Sequence, residues 1–289
     1  MRTDTLHPPY GTEGGLATLG AEATELVRLL DETFREWALR DGARPMTAPA
    51  LLPVAGLAKL DFYQNFPQLA LVASRLNLAD GSASAAGAAA AGAVPGAELD
   101  PAALALPSTV CYGVYLGHAG TVLAENTAVT LVGQCFRNEE YYDGLRRLMS
   151  FRMREVVALG TAEFAQRNVD HYAGLTERFA RAIGLPVVRE AATDPFFDRE
   201  GPRALMQRLI PVKYEFLYGG TSIASINTHR NFFGERCDIG LDGQDGPAFT
   251  SCVGFGFERW VHALADHFAG DWDAALTAVA RARADVAQG

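Results

Sequence analysis

Charged and aromatic residues recur at regular spacing in residues 135–160, CFRNEEYYDGLRRLMSFRMREVVALG. The pattern predicts a strand, a loop and a second strand. Residues two or four apart share one face of a strand, so the charged positions before the loop meet those after it across a hairpin. These positions are Arg137 and Glu139 on the first strand, and Arg147, Phe151 and Glu155 after the loop.

Charged side chains on a sheet face have a high desolvation cost unless they pair or bind a ligand. The planar guanidinium of arginine suits a phosphate or a carboxylate. Two interpretations remain open from the residues alone: a ladder of salt bridges on a solvated face, and a site for an anion. The crowding of arginines favours a local anionic ligand. They are Arg137, Arg146, Arg147, Arg152 and Arg154.

A second candidate is the segment GFGFERW near the end of the chain, where an apolar strand leads into a helix predicted from Trp260 to Phe268. Gly254 and Gly256 permit close approach of a ligand to the backbone, and a helix start suits an anion. Glu258 and Arg259 follow at once. A Gly-x-Gly pair is also common at strand bulges, so this segment alone does not decide between the two interpretations.

Four cysteines lie far apart in the sequence, which favours reduced thiols or metal ligands over a disulfide framework. They are Cys111, Cys135, Cys237 and Cys252. Their spacing alone does not predict a metal, because isolated buried cysteines are mostly small core residues. The six histidines form no close pair, so no histidine metal site is predicted.

The elements that must position these residues are predicted from periodicity. Apolar residues at helical spacing predict helices from Glu22 to Leu39 and from Ala162 to Ile183. Short apolar runs predict strands at TVCYGVYL, AVTLVGQCF, REVVALGTA, SIASIN and AFTSCVGFGF. Strands that cluster with few helices between them indicate an α+β fold with a mainly antiparallel sheet.

Residues 79–103 are rich in alanine and glycine and almost free of large apolar side chains. This composition predicts a flexible surface insertion. A short alanine helix is the alternative, which the interspersed glycines and Pro95 disfavour. The rest of residues 1–289 is interpreted as one large catalytic domain.

The chain of 289 residues has a net charge of −9 and a pI near 5.2. An acidic protein lacks the general electrostatic attraction for long nucleic acids. The sequence shows neither a secretory signal nor an apolar run of membrane-spanning length, so we expect a soluble cytoplasmic protein.

In order along the chain, these segments resemble the core of class II aminoacyl-tRNA synthetases. Residues 135–160 resemble motif 2, and GFGFERW resembles motif 3. The Glu22–Leu39 helix with the segment at Pro49 resembles motif 1, with Pro53 as a rival position. The likeness is greatest to the amino acid:carrier-protein ligases, small homologues of archaeal-type seryl-tRNA synthetases without a tRNA-binding domain. It is carried by DFYQNFP, LPSTVCYGVY, CFRNE, RLMSFRMRE, TDPFFDREG, VKYEF, SINTHRNFFGER and FTSCVGFGFERW.

The resemblance implies roles for individual residues. Arg137 and Arg259 would be catalytic and bind the α- and γ-phosphates of ATP. The further ATP-binding positions are Glu139, Arg147 and Phe151, and the positions near the amino acid are Lys213, Glu215, Ser225 and Asn227. Mg²⁺ would accompany ATP, although its usual acidic ligand has no counterpart among Gly219, Gly220 and Thr221.

The resemblance also implies one Zn²⁺ per chain, bound by Cys111, Glu155 and Cys252. Three protein ligands leave a fourth position open, which in the seryl-type branch is taken by the α-amino group of the substrate. Cys135 and Cys237 match no ligand position and are interpreted as structural.

The implied function is activation of a small amino acid by ATP and its transfer to the phosphopantetheine thiol of an acyl or peptidyl carrier protein. The implied assembly is a homodimer that does not bind tRNA. Two alternatives remain: a synthetase with an RNA acceptor, and a non-catalytic binding paralogue. The chain departs from the family pattern at residues that bear on amino-acid choice, namely Asn138, Glu140, Tyr141, Tyr142 and Phe249. A carrier protein would need basic residues for docking, for which Arg167, Arg178 and Arg181 are candidates, although a solvated helix face also explains them.

Overall fold

The computed structural model describes residues 9–77, 87 and 92–288. The strands are β1 (Tyr10–Glu13), β2 (Leu16–Leu19), β3 (Arg44–Pro45), β4 (Leu52–Pro53), β5 (Leu71–Ala73), β6 (Leu104–Leu106), β7 (Val122–Leu123), β8 (Thr127–Phe136), β9 (Ser150–Gly160), β10 (Val188–Ala192), β11 (Lys213–Tyr218), β12 (Thr221–Arg230), β13 (Gly240–Leu241) and β14 (Phe249–Gly256). The α-helices are Ala21–Arg40, Val54–Lys59, Phe62–Asn65, Cys111–Gly117, Ala162–Ile183, Pro202–Leu209, Phe232–Cys237, Phe257–His267 and Trp272–Gln288.

Seven strands form the central sheet, in the order β10-β11-β12-β14-β9-β8-β3. All neighbours pair antiparallel except the short β3, which runs parallel to β8. The α+β architecture with a mainly antiparallel sheet is thus confirmed. Three small sheets flank it: the β1-β2 hairpin, β4-β6-β5, and the parallel pair β13-β7.

The central sheet separates two apolar cores. Alternate residues of β9 point to opposite faces, so Val156 belongs to one core and Val157 to the other. The long helices, including Ala21–Arg40 and Ala162–Ile183, pack on the face of Val156. The short helices Cys111–Gly117 and Phe232–Cys237 pack on the face of Val157. The second face carries the candidate site.

The predicted long helices are confirmed. The Ala162–Ile183 helix has the predicted bounds, with Thr161 Oγ1 accepting a hydrogen bond from the Phe164 amide at its start and Gly184 at φ 86° at its end. The first helix extends one residue beyond the prediction at each end. The helix after β14 begins at Phe257, three residues before the predicted start, because Gly256 ends the strand and caps the helix directly.

The predicted strand TVCYGVYL is wrong, since Cys111–Gly117 is a helix. All five residues from Cys111 to Tyr115 are buried, so their burial shows no helical period. A short apolar run does not distinguish a buried helix from a buried strand. Gly113 permits the close packing of this helix, because a Cβ there would lie 2.5 Å from the Cβ of Ala48.

The predicted insertion at residues 79–103 lies partly outside the described residues, which omit 78–86 and 88–91. Its flanks are paired. Leu76 and Leu99 form an antiparallel bridge, and the Asn77 amide donates to the Glu98 carbonyl at 2.8 Å. Leu76 and Leu99 therefore lie side by side, although 22 residues separate them in the sequence. Among the described residues, no helix combines the length and apolarity that crossing a membrane would require.

Candidate active site

Two adjacent rows of side chains on one face of the central sheet bring half of the expected site residues together. Each row crosses four neighbouring strands, β11, β12, β14 and β9, through direct cross-strand partners. The first row is Glu215, Ser225, Gly254 and Glu155, and the second is Lys213, Asn227, Cys252 and Val157. Gly254 leaves the middle of this face open between Ser225 and Glu155.

Cys111, Glu155 and Cys252 converge on one point. Glu155 and Cys252 come from the neighbouring strands β9 and β14, and Cys111 is the first residue of the Cys111–Gly117 helix above them. Their sulfur and carboxylate ligand atoms all lie within 4.8 Å of one another, and all three residues are buried. The structure therefore assembles the trio that the resemblance implied.

The environment of Glu155 fits a bound cation. Thr109 Oγ1 donates a hydrogen bond to Glu155 Oε1 at 2.5 Å and lies 3.6 Å from the sulfur of Cys111. The other oxygen, Oε2, is buried and has no hydrogen-bond partner among the residues that the structure describes. An unpaired buried carboxylate oxygen is costly, and a metal ion bound by two thiolates and this oxygen would remove that cost.

The three groups titrate differently in the metal-free protein. Burial, together with the charge on Cys252, raises the pKa of Glu155 to about 8. Burial raises the pKa of Cys111 well above its usual range. A hydrogen bond from Cys111 lowers the pKa of Cys252 to about 5, and nearby His229 adds to this effect. The surroundings of the trio thus favour the deprotonated form of Cys252 and the protonated forms of Glu155 and Cys111.

His229 is part of this pocket and was missed by the sequence analysis. Its Nε2 lies 3.7 Å from the sulfur of Cys252, and its Nδ1 lies 3.2 Å from the hydroxyl of Tyr115. With the Tyr115 hydroxyl donating to Nδ1, Nε2–H faces the sulfur of Cys252. Its position two residues after Asn227 on β12 was the available signal, because such residues share a strand face.

The half of the site that contains Arg137 and Arg259 lies beside the half that contains Cys111, Glu155 and Cys252. Arg137 follows the last residue of β8 directly, so its expected place within the strand is wrong by one residue. Its Nε donates to the Ser108 carbonyl at 3.1 Å, and its guanidinium lies 4.9 Å from the ring centroid of Phe151. Arg137 is therefore held by a backbone oxygen and an aromatic face.

Arg259 lies in the first turn of the Phe257–His267 helix. It donates to the carbonyls of Arg146 and Ser222 at 2.9 and 3.1 Å. Burial and the charge of Arg137 lower its pKa to about 10. Neither Arg137 nor Arg259 forms an ion pair with a carboxylate among the described residues. Two fixed guanidinium groups without acidic partners make this half a site for an anion.

Glu139 and Arg147 belong to the loop between β8 and β9, and not to the strands on which they were expected. Arg147 Nη1 lies 3.4 Å from Glu139 Oε2, and the guanidinium also stacks on the ring of Tyr141 at 4.3 Å. Arg147 and Glu139 thus pair across the hairpin, whereas Glu155 lies opposite Leu131 in the strand register and accepts its hydrogen bond from Thr109. Asn138 is used structurally, since its side chain donates to the Gln68 carbonyl.

Lys213 lies between two acids at the edge of the pocket. Its Nζ is 3.2 Å from Asp194 Oδ1 and 3.1 Å from Glu215 Oε1. Burial alone would lower the pKa of Lys213, but Asp194 and Glu215 together raise it above its usual range. Asp194, which the sequence analysis missed, also accepts a hydrogen bond from Gln207 of the Pro202–Leu209 helix.

The two halves form adjoining pockets. Arg137, Met153, Lys213 and Ser225 line both of them. The metal-ligating pocket also continues into a third, mainly apolar pocket. The residues that line both of these are Phe66, Tyr112, Asp194, Asn227, His229 and Phe233. Three pockets thus adjoin one another: one lined by arginines, one by the Cys111, Glu155 and Cys252 trio, and one mainly by apolar side chains.

The chain is similar to two curated proteins of Bradyrhizobium diazoefficiens. It is 35% identical to amino acid:acyl-carrier-protein ligase 2 over 176 residues, 58% of this chain and 52% of that protein. It is 30% identical to amino acid:acyl-carrier-protein ligase 1 over 273 residues, 90% of this chain and 82% of that protein. The chain thus spans about half of the first relative and most of the second. A type-2 serine:tRNA ligase of Methanococcus maripaludis is 29% identical over 45% of the chain. No protein-family model matches.

Solved structures show the same fold. M. kandleri SerRS, in complex with A. aeolicus tRNASec, superposes with a TM-score of 0.75 at 20% identity, over 89% of this chain and 55% of that one. Giardia lamblia prolyl-tRNA synthetase, in complex with prolyl-adenylate, gives a TM-score of 0.65 at 14% identity, over 86% and 47%. The fold is therefore that of class II aminoacyl-tRNA synthetases, and the chain belongs to the amino acid:acyl-carrier-protein ligase family.

Proposed function

We propose that the protein activates a small amino acid with ATP and transfers it to the phosphopantetheine thiol of a carrier protein. The observation that carries the proposal is the contact between two half-sites on one sheet face. One half offers Arg137 and Arg259, which form no ion pair among the described residues, and the other offers two thiols and a carboxylate with an unpaired oxygen. Membership of the ligase family supplies the reaction type.

ATP would bind in the arginine half. Arg137 and Arg259 would hold the phosphates, since their guanidinium groups are already fixed by backbone carbonyls and need little reorganisation. Phe151 and the Glu139–Arg147 pair would border the nucleotide. Mg²⁺ bound with ATP would neutralise phosphate charge as it develops.

Cys111, Glu155 and Cys252 would bind one Zn²⁺. Their donor set and the unpaired oxygen of Glu155 fit this ion. Zinc would supply a Lewis-acid contact for the α-amino group of the substrate. His229, through its position beside Cys252, would orient that thiolate.

Ser225 and Asn227 would line the space for the amino acid, because they lie in the same rows as Glu155 and Cys252. Lys213 and Glu215 would border the junction between amino acid and nucleotide. A carboxylate oxygen of the substrate would attack the α-phosphorus of ATP, and the bond from that phosphorus to the departing diphosphate would break. Arg137 would stabilise the added negative charge.

In the second step, the thiol sulfur would attack the acyl carbon of the adenylate, AMP would leave and a thioester would form. The third pocket supports this step, because it joins the amino-acid pocket at Asn227 and His229 and so gives a second group a path to the acyl carbon. We also propose a homodimer formed through the Ala21–Arg40 helix region, as in class II motif 1. Arg167, Arg178 and Arg181 are exposed on the Ala162–Ile183 helix and remain candidates for carrier docking.

The test is amino-acid-dependent exchange of labelled diphosphate into ATP, across the standard amino acids, with metal content measured on the same preparation. We expect exchange with one or two small amino acids and about one zinc per chain. Labelled amino acid is then offered to a phosphopantetheine-loaded carrier protein and, separately, to tRNA. Labelling of tRNA alone would replace this proposal by a synthetase, and absence of both ATP binding and exchange would indicate a non-catalytic paralogue.

A further inference from the structure

We infer that the N-terminal β1-β2 hairpin is a positioning element for the ATP-binding loop, residues 137–149, and that Gly15 is its contact point. The inference rests on the proposed use of this loop for ATP. It assigns a role in the reaction to a segment that lies outside the synthetase-like motifs.

The hairpin presents its tip to the loop. Its strands pair from Tyr10 with Leu19 to Glu13 with Leu16, and the turn consists of Gly14 and Gly15, at φ 57° and 80°. Gly14 is exposed at the tip, whereas Gly15 is buried. The two glycines thus share a left-handed backbone conformation and differ in their surroundings.

Two successive hydrogen bonds connect Gly15 to Arg137. The Met149 amide donates to the Gly15 carbonyl at 2.8 Å, and the Ser150 amide approaches the same oxygen at 3.4 Å. The Arg137 amide donates to the Met149 carbonyl, also at 2.8 Å. The backbone of the proposed α-phosphate ligand is therefore fixed to the base of the loop, and this base is fixed to the hairpin tip.

The ring of Tyr142, in the same loop, lies directly on Gly15. A Cβ at Gly15 would meet three ring atoms of Tyr142 at 2.6 to 2.8 Å, distances that require the ring to move. A few residues further on, the Arg146 carbonyl accepts the hydrogen bond from Arg259. The loop is thus held between the hairpin and the second phosphate-binding arginine.

A side chain at Gly15 would displace Tyr142 and, with it, the loop that positions both arginines. The amino-acid half would be spared, because Cys111, Glu155 and Cys252 belong to other elements. The hairpin contact should therefore act on ATP binding separately from amino-acid and metal binding. A purely structural role would change stability without separating the two substrates.

The test compares Gly15→Ala with the matched control Gly14→Ala. Both substitutions place alanine at positive φ, but nothing lies within 4 Å of a Cβ at Gly14. Affinity for a non-hydrolysable ATP analogue is measured by calorimetry, and the KM for the amino acid by diphosphate exchange at saturating ATP. We expect Gly15→Ala to weaken binding of the analogue by roughly tenfold, since small misplacements of binding groups are costly. Its amino-acid KM and metal content should match the wild type, and Gly14→Ala should resemble the wild type throughout.

A second arm uses Tyr142→Ala, which removes the ring that alanine at position 15 would strike. Adding Gly15→Ala to this variant should then weaken binding of the analogue by less than about twofold. Equal effects of Gly14→Ala and Gly15→Ala, or equal losses for ATP and amino acid, would overturn the inference. If the wild-type protein binds the analogue and Gly15→Ala binds it equally well, the inference about the hairpin is wrong but the proposed function stands. If the wild-type protein does not bind the analogue, both the inference and the proposed function are wrong.

Discussion

The two halves of the site share one sheet face but are prepared for their ligands in different ways. In the arginine half, Arg137 and Arg259 are held by backbone carbonyls. In the other half, Cys111, Glu155 and Cys252 are short, buried side chains, and one carboxylate oxygen has no partner among the described residues. The first half is therefore preorganised by neutral groups of the protein. The second half contains a buried carboxylate whose negative charge a bound cation would stabilise.

The largest expected effect comes from substituting a proposed metal ligand, which should impair one half of the site and spare the other. Cys252→Ser should lose bound metal, because zinc binds a serine hydroxyl much more weakly than a cysteine thiolate. Amino-acid-dependent diphosphate exchange should fall by more than about a hundredfold. Binding of an ATP analogue, measured by calorimetry, should stay within about twofold of wild type, since the halves use different ligands.

The matched control is Cys135→Ser, which changes a fully buried thiol of the same sheet that is not among the ligands. It should retain metal, although its melting temperature will be lower because a buried hydroxyl replaces a thiol. Loss of ATP binding in Cys252→Ser, together with a collapsed melting transition, would mean that the halves are not separable.

The next largest effect comes from substituting a proposed ATP ligand, which should impair the arginine half and leave metal binding unchanged. Arg137→Ala should reduce adenylate formation by roughly a hundredfold, as expected for removal of a fixed charge from the reacting group. Metal content should be unchanged. Arg146→Ala is the control in the same loop, because its half-exposed guanidinium pairs with Asp143 and does not line the pocket of Arg137 and Arg259. Comparable losses in both variants, by single-turnover assay, would contradict the assigned role of Arg137.

The smallest signal is the release of protons when the metal-free protein takes up zinc. Near pH 7, Glu155 with its pKa of about 8 and Cys111 with its raised pKa are protonated, whereas Cys252 is already a thiolate. Binding requires all three to be deprotonated, so about two protons should leave, and the apparent affinity should rise with pH. Calorimetry in buffers of different ionisation enthalpy measures this number. Metal binding without proton release would place the metal elsewhere.

Much of the site could be predicted from the sequence, because side chains two residues apart on a strand point to the same face. Ser225 and Asn227 share a face for this reason, as do Cys252 and Gly254, and the strands that carry them were identified from their apolar runs. The family resemblance selected Cys111, Cys252 and Glu155. Spacing alone had left the two cysteines as core residues and Glu155 as a charged position on the hairpin. The fold class followed from the clustering of strands.

Other features depend on tertiary packing and left little trace in the sequence. The helix at Cys111 was mistaken for a strand, because burial of both faces removes the periodicity that distinguishes the two. Thr109 and His229 act through contacts with residues distant in sequence. Arg147 was placed on a strand because a four-residue interval fits a strand, whereas the second strand of the hairpin begins only at Ser150.

The bridge between Leu76 and Leu99 has a consequence for engineering. Because Leu76 and Leu99 are paired, the number of residues between them in the sequence can change without altering the distance that this segment must span. A fluorescent domain or an affinity tag inserted there would enter beyond the hydrogen bond between Asn77 and Glu98. The protein thus offers an internal attachment point that leaves the N-terminal hairpin untouched.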